Sequence, residues 1–427
     1  MTTNNASTPR RDFLRAAAAV NLLILKPELV RGTQRNSTVR LGLLGCGGRG
    51  SGVATGFIKD AGAHLSAIGD LFEDRVVAGK KRFDEALAKK NLPPIDPSQI
   101  FQGPNACERI LESKQIDAIY IATPPYFHPE HLEKAVAAGK HVYIEKPVAV
   151  DVPGAKRVMR AGERASGKLS VAVGFQIRHA TPFVELAKRM HQGAIGTPVC
   201  GLTYYYAGAI AQPDWPGVSP ATRRLRNWVH DRVLSGDIIV EQNIHIIDVT
   251  NWMLQGHPLK AVGAGGRAGR DDQGDCWSHF NCQYTYPGDV HVTMNSTQFI
   301  KGSWNVAMQY FGTRGNAEAH YDSPVRITGA NAWEFPLQTK AGQITDAKAA
   351  VTGAFKGALD DADPNKQRAF ISSITSGRLL AEAQRGADSA LSAMLGRNAA
   401  YTGREMSWDE LLRSEEVYDA GLDIARL

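Results

Sequence analysis

The stretch VRLGLLGCGGRG, residues 39–50, joins a short apolar strand to a glycine-rich turn of the pattern G-x-G-x-x-G. In that pattern the first glycine permits a tight turn, the second lets the backbone approach a pyrophosphate, and the third lets the next helix pack on the strand. A helix predicted over residues 51–59 would point its first N–H groups at phosphate oxygens. The stretch predicts a dinucleotide-binding unit, although 42 glycines make a chance match easy.

A second apolar stretch, residues 64–69, ends at Asp70, twenty positions after Gly50. A carboxylate at that spacing is expected to accept hydrogen bonds from the adenosine ribose hydroxyls. Leu71 and Phe72 follow, so no arginine stands directly after Asp70 to receive a 2′-phosphate. The spacing favours NAD over NADP, and Arg49 in the glycine turn could soften that preference.

Strand and helix patterns alternate throughout the first 150 residues, which predicts a doubly wound parallel sheet. One predicted strand, residues 116–122, ends at Thr123-Pro124-Pro125, and His128 opens the helix that follows. Another strand, residues 142–144, is followed by Glu145-Lys146-Pro147. Ligands of such sheets lie outside the carboxyl ends of the strands, so Lys146 is a candidate for chemistry. Taken alone, however, a lysine at a strand-to-helix turn is more often an ordinary surface residue.

Residues 237–254 form a strongly apolar stretch that predicts one buried helix. Glu241, His245, Asp248 and Trp252 would share one stripe of that helix. Burying a carboxylate and an imidazole without partners is costly, so the polar stripe indicates a site. Two other interpretations remain: a histidine satisfied within the core, and a zinc clamp, for which no clustered Cys or His supplies the further ligands.

Three other regions carry candidate substrate contacts. Residues 212–228 read as a long loop with Arg226 and Trp228, and loops of that length are often functional. Arg178 ends a predicted strand over residues 170–177, and Tyr204 lies in an aromatic-rich strand over residues 197–206. Aromatic faces and guanidinium groups suit a sugar, although each of these residues could equally serve packing or solvation.

The glycine turn, Asp70, the Thr-Pro-Pro element with His128, and the Glu-Lys-Pro element together resemble the Gfo/Idh/MocA oxidoreductases, the family of glucose–fructose oxidoreductase and inositol dehydrogenase. The resemblance covers nearly all of the chain after residue 40. It implies a Rossmann domain followed by an α/β domain with a large, mostly antiparallel sheet, and a homo-oligomer, dimer or tetramer, formed through that sheet. Family members carry an acid, often Asp, and a His at the positions of Glu241 and His245.

The family activity implied is hydride transfer between a nicotinamide and a hydroxyl carbon of a sugar, an inositol or a sugar derivative. The catalytic residues would be Lys146, His245 and Glu241. The cofactor-binding residues would be Gly45, Cys46, Gly47, Gly48, Arg49, Gly50, Asp70, Thr123, Pro124, Pro125, His128, Glu145 and Lys146. The substrate-binding residues would be Lys146, Arg178, Tyr204, Arg226, Trp228, Glu241 and His245, with no metal.

Two alternatives differ in reaction class. A redox-neutral NAD enzyme, either a glycosidase or lyase or a sugar–sugar oxidoreductase, would keep its cofactor tightly bound. A sugar-sensing binding protein on the same fold would not need catalytic residues. The presence of Lys146, Glu241 and His245 together therefore argues against this alternative.

The predicted organisation is a twin-arginine export signal or arm over residues 1–36, a NAD-binding domain over residues 37–150, and a substrate and oligomerisation domain over residues 151–427. Arg10-Arg11, then Phe13-Leu14 and an apolar run too short to span a bilayer, resemble such a signal. It implies a periplasmic or exported protein; a cytoplasmic protein with a disordered basic tail is the alternative.

Charge and cysteine content limit the classes of partner and metal site that the sequence predicts. The net charge of +6 comes from Lys and Arg spread along the chain, which indicates a generic positive surface. No recognition motif supports a nucleic-acid groove, so no nucleic-acid partner is predicted. Five scattered cysteines, without a CxxC pair, indicate neither a disulfide framework nor a zinc knuckle.

Overall fold

The computed structural model describes residues 38–301, 304–337 and 357–427; the predicted export signal lies outside these residues. Residues Val39–Leu427 form one unit of tertiary contacts. Two sheets are built within this unit, one after the other along the chain, as the sequence predicted.

Six parallel strands form the first sheet: β1 Arg40–Leu44, β2 His64–Asp70, β3 Ile100–Gln102, β4 Ala118–Ile121, β5 His141–Ile144 and β6 Val171–Val173. Their order is β3-β2-β1-β4-β5-β6, the doubly wound order of dinucleotide-binding folds. All of β4 is buried, as expected for a central strand covered on both faces. Strand β6 joins this sheet although it follows residue 150, so the sheet extends past the predicted domain boundary.

Helices cover both faces of the first sheet: α1 Gly48–Asp60, α2 Glu73–Ala88, α3 Ala106–Glu112, α4 His128–Ala137 and α5 Val152–Ala165. Apolar side chains of α1 and α2, such as Phe57 and Phe83, pack in one cluster. Those of α3, α4 and α5, such as Ile110 and Leu132, pack in another. Crossover helices on alternate faces bury the parallel sheet and leave only the ends of its strands open.

Nine strands form the second sheet: β7 Pro198–Ala207, β8 Lys260–Gly266, β9 His279–Tyr286, β10 Val290–Gln298, β11 Asn305–Gly312, β12 Gly315–His320, β13 Val325–Gly329, β14 Trp333–Glu334 and β15 Met406–Ser407. Their order is β14-β13-β12-β11-β7-β10-β9-β8-β15. Among the described strands of this second sheet, only the β7–β10 pair is parallel. A turn over residues 287–289 joins β9 to β10 as an antiparallel hairpin.

Further helices flank the second sheet and the junction with the first: α6 Thr181–His191, α7 Pro220–Arg226, α8 Arg232–Ser235, α9 Ile238–Glu241, α10 Ile244–Met253, α11 Ala362–Ser376, α12 Ala383–Thr402 and α13 Trp408–Leu412. Arg397 on α12 is buried and donates to the main-chain oxygens of Val150 and Gly236 at 2.9 and 3.1 Å. None of the helices in the described ranges is both long and apolar enough to cross a membrane.

The prediction of one helix over residues 237–254 is wrong. The chain forms α9 and α10 with a break at Gln242 and Asn243, where the Asn243 N–H bonds to Ile238 O, five residues back, at 2.9 Å. A wide turn of this kind interrupts the helical stripe. The predicted loop over residues 212–228 also differs, because it contains α7.

Candidate active site

The glycine turn has the geometry that a dinucleotide requires. Gly45 has φ +100°, and a Cβ there would stand 2.6 Å from the Ala122 oxygen. A Cβ on Gly50 would lie 2.0 Å from Gly45 O, so the close approach of α1 to β1 needs that glycine. A Cβ on Gly47 would meet nothing within 4 Å, because it would stand in an open cleft. This free space, facing the N–H groups that begin α1, fits a pyrophosphate.

Asp70 ends β2 at the same cleft. Its two carboxylate oxygens accept from the Cys46 N–H at 2.7 Å and the Phe72 N–H at 2.9 Å, and each retains a free lone pair. Burial raises the pKa of Asp70, although these two backbone hydrogen bonds oppose the shift. The carboxylate is therefore held in place to accept from ribose hydroxyls.

Two arginines reach the Asp70 end of the cleft, although neither follows Asp70 directly in sequence. Arg75 on α2 and Arg226 on α7 both line the cleft. Arg226 forms two hydrogen bonds to Asp74, at 2.7 and 3.0 Å, and its guanidinium lies 4.0 Å from the centre of the Phe72 ring. No arginine directly follows Asp70, as the sequence shows, but α2 and α7 bring these two arginines to it in the fold. Arg226, predicted to bind substrate, stands at the cofactor cleft instead.

This cofactor cleft has a volume of about 980 Å³, counted to its solvent mouth. Of the predicted cofactor residues, it is lined by Gly45, Gly47, Gly48, Asp70, Thr123 and Pro124. His131, Phe127 and Ile424 line it too, although the sequence did not point to them. Burial lowers the pKa of His131 to about 3, so this ring is neutral beside the cofactor site.

A second cavity, of about 1080 Å³, continues from the cleft and shares Gly48, Ala122, Thr123 and Trp228 with it. Its lining includes Arg49, Pro125, Glu145, Lys146, Glu241 and His245 from the predicted site. Lys146 comes from the end of β5, and His245 from the first turn of α10. The structure thus brings one residue from each half of the chain to the same cavity, next to the cofactor cleft.

Lys146 and Glu241 are paired across this cavity. The Lys146 Nζ donates to Glu241 Oε1 at 3.0 Å and also to the Glu241 main-chain oxygen. Only 12% of the Lys146 side chain and 16% of the Glu241 side chain are exposed. The break after α9 leaves the Glu241 carbonyl free to accept this bond, which a continuous helix would have used internally.

His245 is buried, and no described residue forms a hydrogen bond to its Nδ1. Burial lowers the pKa of His245 well below its usual value, and Lys146 and Arg49 lower it further through their positive charges. The ring is therefore neutral near pH 7 and can accept a proton.

A buried ionic network lies behind Lys146. The Arg49 guanidinium bonds to Glu145 at 3.1 Å and to Asp363 at 3.2 and 3.3 Å. Lys366, fully buried on α11, lies 2.8 Å from Asp363, and the Tyr120 hydroxyl donates to Glu145 at 3.0 Å. Arg49 thus faces inward, away from the cofactor's adenosine end. No local sequence pattern indicates that Asp363 or Lys366 belongs to the site.

Several predicted site residues do not reach either cavity. His128 bonds through its ring nitrogens to Pro147 O and Thr123 O, both at 2.7 Å, and so ties two site loops together from behind. Arg178 bonds to Asp248 at 2.8 Å and lies over Trp252, within the packing of α10. Asp248 and Trp252, which are half of the predicted polar stripe, thus form a structural group with Arg178.

Tyr204 points away from the cavity because side chains alternate along a strand. It stacks on Tyr206, with ring centres 4.9 Å apart, whereas Tyr205, between them, lines the cavity. Cys46 and Gly50 contribute packing rather than a cleft surface, and the backbone N–H of Cys46 holds the Asp70 carboxylate. Among the described residues, no group of three His, Cys, Asp or Glu side chains could hold a metal ion.

Two sequence profiles match this chain, and together they cover more than half of it. The profile described as an oxidoreductase family with a NAD-binding Rossmann fold matches residues 39–173, and the GFO/IDH/MocA C-terminal domain matches residues 183–318. The chain belongs to the Gfo/Idh/MocA oxidoreductase family. This confirms the resemblance read from the glycine turn and the Glu-Lys-Pro element, and with it the NAD-binding character of the first domain.

Curated relatives align over part of this family member. Inositol 2-dehydrogenase 4 of Saccharopolyspora erythraea is 29% identical over 228 residues, covering 53% of this chain and 57% of the relative. Inositol 2-dehydrogenase of Paracoccus denitrificans is 30% identical, covering 51% and 54%. A glycosyl hydrolase family 109 protein of Streptomyces coelicolor is 30% identical, covering 37% and 32%. The chain thus spans about half the length of the first two relatives.

Solved structures share the fold over nearly the whole of their length. A putative myo-inositol dehydrogenase from Sinorhizobium meliloti has a TM-score of 0.61 at 19% identity, covering 87% of this chain and 99% of the other. GenD2 from gentamicin A biosynthesis, in complex with NAD, has a TM-score of 0.65 at 14% identity, covering 89% and 99%. At such identities the comparison establishes the architecture only.

Proposed function

We propose that this protein is an NAD-dependent oxidoreductase that transfers a hydride between the nicotinamide and a hydroxyl carbon of a sugar, an inositol or a sugar derivative. One observation carries the proposal: Lys146 and His245, from different halves of the chain, line one cavity that opens into the cofactor cleft. A neutral imidazole can take the hydroxyl proton of an alcohol and a cation can stabilise the charge that develops on its oxygen, while a nicotinamide in the adjoining cleft would take the hydride.

Each of three residues has a separate role in this proposal. His245, kept neutral by its surroundings, takes the hydroxyl proton. Lys146 stabilises the negative charge that develops on the substrate oxygen. Glu241 orients Lys146 through their hydrogen bond. The bound nicotinamide supplies the hydride acceptor.

The cavity lining supports a polyhydroxylated substrate. Gln176, Gln242 and Tyr205 supply polar groups, while Trp228 and Ile210 supply apolar surface. A sugar or inositol ring combines hydroxyl edges with C–H faces, and this mixed lining matches both. Names of relatives, inositol 2-dehydrogenases among them, agree with this substrate class.

Identification of the cofactor and the substrate tests the proposal directly. Mass spectrometry of small molecules released from denatured protein should detect NAD. A panel of sugars, inositols and glycosides, deuterated at the hydroxyl carbon, should then reveal a substrate through transfer of deuterium to the cofactor. Lys146→Ala should lower kcat by about 10²- to 10³-fold. Lys59→Ala, on the exposed side of α1, is the control and should leave kcat unchanged; equal activity in both variants would refute the role of Lys146.

A redox-neutral NAD-dependent glycosidase, lyase or sugar–sugar oxidoreductase is a second candidate. The similarity to a glycosyl hydrolase family 109 protein favours it. Oxidation beside a glycosidic bond acidifies a neighbouring C–H, so such an enzyme could use the same three residues. Product formation without accumulation of NADH would identify this candidate, and stoichiometric NADH would exclude it.

We also propose export through the twin-arginine route and self-association through the second sheet. Arg10-Arg11 and the apolar run after them support export, and replacing both with Lys should retain the protein in the cytoplasm. Leu202 and Phe311, each 37% exposed on adjacent strands, support the interface. Leu202→Glu should therefore reduce the oligomer mass measured by sedimentation; an unchanged mass would place the interface elsewhere.

A further inference from the structure

Residues 415–427, the C-terminal segment, run as extended chain and a final short turn beside the cofactor cleft. Alternate side chains point toward the rest of the protein: Tyr418, Ala420, Leu422 and Ile424 are buried or half-buried. Asp419, Gly421 and Asp423, between them, are exposed, and Val417, directly before Tyr418, is 67% exposed. This alternation shows that one face of the segment packs against the protein along most of its length.

Three hydrogen bonds attach the C-terminal segment to three different elements. The Tyr418 N–H donates to Asp151, at the start of α5, at 2.8 Å. The Ala420 N–H donates to the Tyr126 hydroxyl at 3.4 Å, and Arg224 on α7 donates to Ala420 O. Tyr126 and Arg224 directly precede Phe127 and Leu225, which line the cleft, so the segment is attached to two parts of the cleft's lining.

An apolar cluster seals the segment against the mouth of the cleft. Ala420 is buried with Leu225 and Leu234, and partly buried side chains surround them: Leu71, Phe72, Tyr126, Phe127, Trp228, Val233, Leu422, Ile424 and Leu427. Ile424 itself lines the cofactor cleft together with Leu225 and Trp228. The segment is therefore a part of the site's surface rather than a distant tail.

We propose that the C-terminal segment forms the outer border of the dinucleotide site and holds the cofactor resident. The inference rests on the proposed NAD-dependent function. It concerns a segment that lies beyond residue 318, outside both family profiles, so the family match does not supply it. A dinucleotide that leaves the cleft has to pass Ile424 and the apolar cluster around it. Its release is slow because the contacts of the segment with this cluster must first break.

A resident cofactor has a consequence for the class of reaction. If the cofactor does not exchange between turnovers, the hydride removed from one hydroxyl carbon returns to a carbonyl carbon before the next cycle, and no net oxidation occurs. The C-terminal segment thus favours the redox-neutral candidate over a dehydrogenase that releases NADH.

Cofactor exchange in the full-length protein tests the inference without a substrate. Protein loaded with isotopically labelled NAD is diluted into unlabelled NAD, and the label that remains bound is followed over time. Ile424→Asp introduces a charge into the apolar border and should speed release by about ten- to a hundredfold. Leu422→Asn is a milder second variant, and Val417→Asp, on the exposed side of the same segment, is the matched control. Thermal unfolding verifies that each variant is folded.

The possible outcomes distinguish a failure of this inference from a failure of the proposed function. Slow release from the wild type and Val417→Asp, with fast release from Ile424→Asp and Leu422→Asn, supports the inference. Equal release from all four proteins overturns it, while bound NAD still supports the proposed function. Failure of the wild type to bind NAD at all refutes the function, and the inference with it.

Discussion

Lys146 and Glu241 lie 95 positions apart in the chain, yet the Lys146 Nζ donates to both the carboxylate and the main-chain oxygen of Glu241. The pair joins the end of strand β5 to the end of helix α9 across the substrate cavity. Because both side chains are largely shielded from water, each depends on the other for its hydrogen bonds.

Glu241→Gln should lower kcat/KM by about 10- to 100-fold, since it leaves Lys146 with a neutral partner and a less defined position. Asp248→Asn provides the comparison, because Asp248 forms a buried pair with Arg178 away from both cavities. We expect Asp248→Asn to lower the free energy of unfolding by about 3–5 kcal/mol without changing the affinity for NAD. If Glu241→Gln affects stability only, the orienting role of Glu241 is wrong.

His245 should make the stability of the protein depend on pH. Its pKa is lowered in the folded state by burial and by Lys146, so the unfolded state binds the extra proton first. The contribution of the neutral ring to the free energy of unfolding is fully present above a pH of about 6.5. It is lost as the pH falls below that value, at up to about 1.4 kcal/mol per pH unit.

Urea unfolding at pH 7.5 and pH 5.5 measures this effect. His245→Gln should lose less stability than the wild type over that interval, because glutamine does not titrate. NMR of the His245 ring should show no protonation in the folded protein across the same range. An inflection near the ordinary histidine pKa would contradict the proposed neutral base.

The residues of the buried ionic network behind the cavity should be strongly coupled in their contributions to the free energy of unfolding. Asp363 lies between Arg49 and Lys366; burial acts to raise its pKa, but these two cations outweigh burial and hold it well below the usual range. Asp363→Asn should lower the free energy of unfolding by about 3–5 kcal/mol, because it leaves buried positive charge uncompensated.

A double-mutant cycle verifies the coupling. Lys366→Met alone should also lower the free energy of unfolding. The double variant should lose less free energy than the two single variants together, with an interaction energy of about 1–3 kcal/mol. Additive effects would mean that Asp363 and Lys366 act independently, and that the network does not support the glycine turn as a unit.

The sequence predicted the first sheet well because its signals are local. Each apolar strand, each glycine or proline at its end and each following helix can be recognised within about ten residues. For the same reason Gly47, Asp70 and Lys146 could be placed at one edge of a sheet, as the doubly wound order requires. The profile matches confirmed the family that these elements indicated.

The parts that the sequence did not predict depend on contacts between distant residues. Asp363 reaches Arg49 from 314 positions away, and no pattern near either residue indicates the pair. The prediction that Tyr204 contacts the substrate is wrong because three consecutive tyrosines do not show which face of the strand is buried, and a shift of one residue reverses the face. The break at Gln242 and Asn243 has neither glycine nor proline to mark it.

Gly47 and Gly50 should differ sharply when a side chain is added. A side chain at Gly47 would occupy only the cleft, so Gly47→Val should fold with nearly unchanged stability and lose affinity for NAD by about 100-fold or more. Gly50→Ala would place a Cβ against Gly45 O and should lower the free energy of unfolding by about 2 kcal/mol or more. Thermal unfolding and a fluorescence titration with NAD distinguish the two effects. Loss of stability without loss of affinity in Gly47→Val would show that the cleft next to this turn does not receive the pyrophosphate.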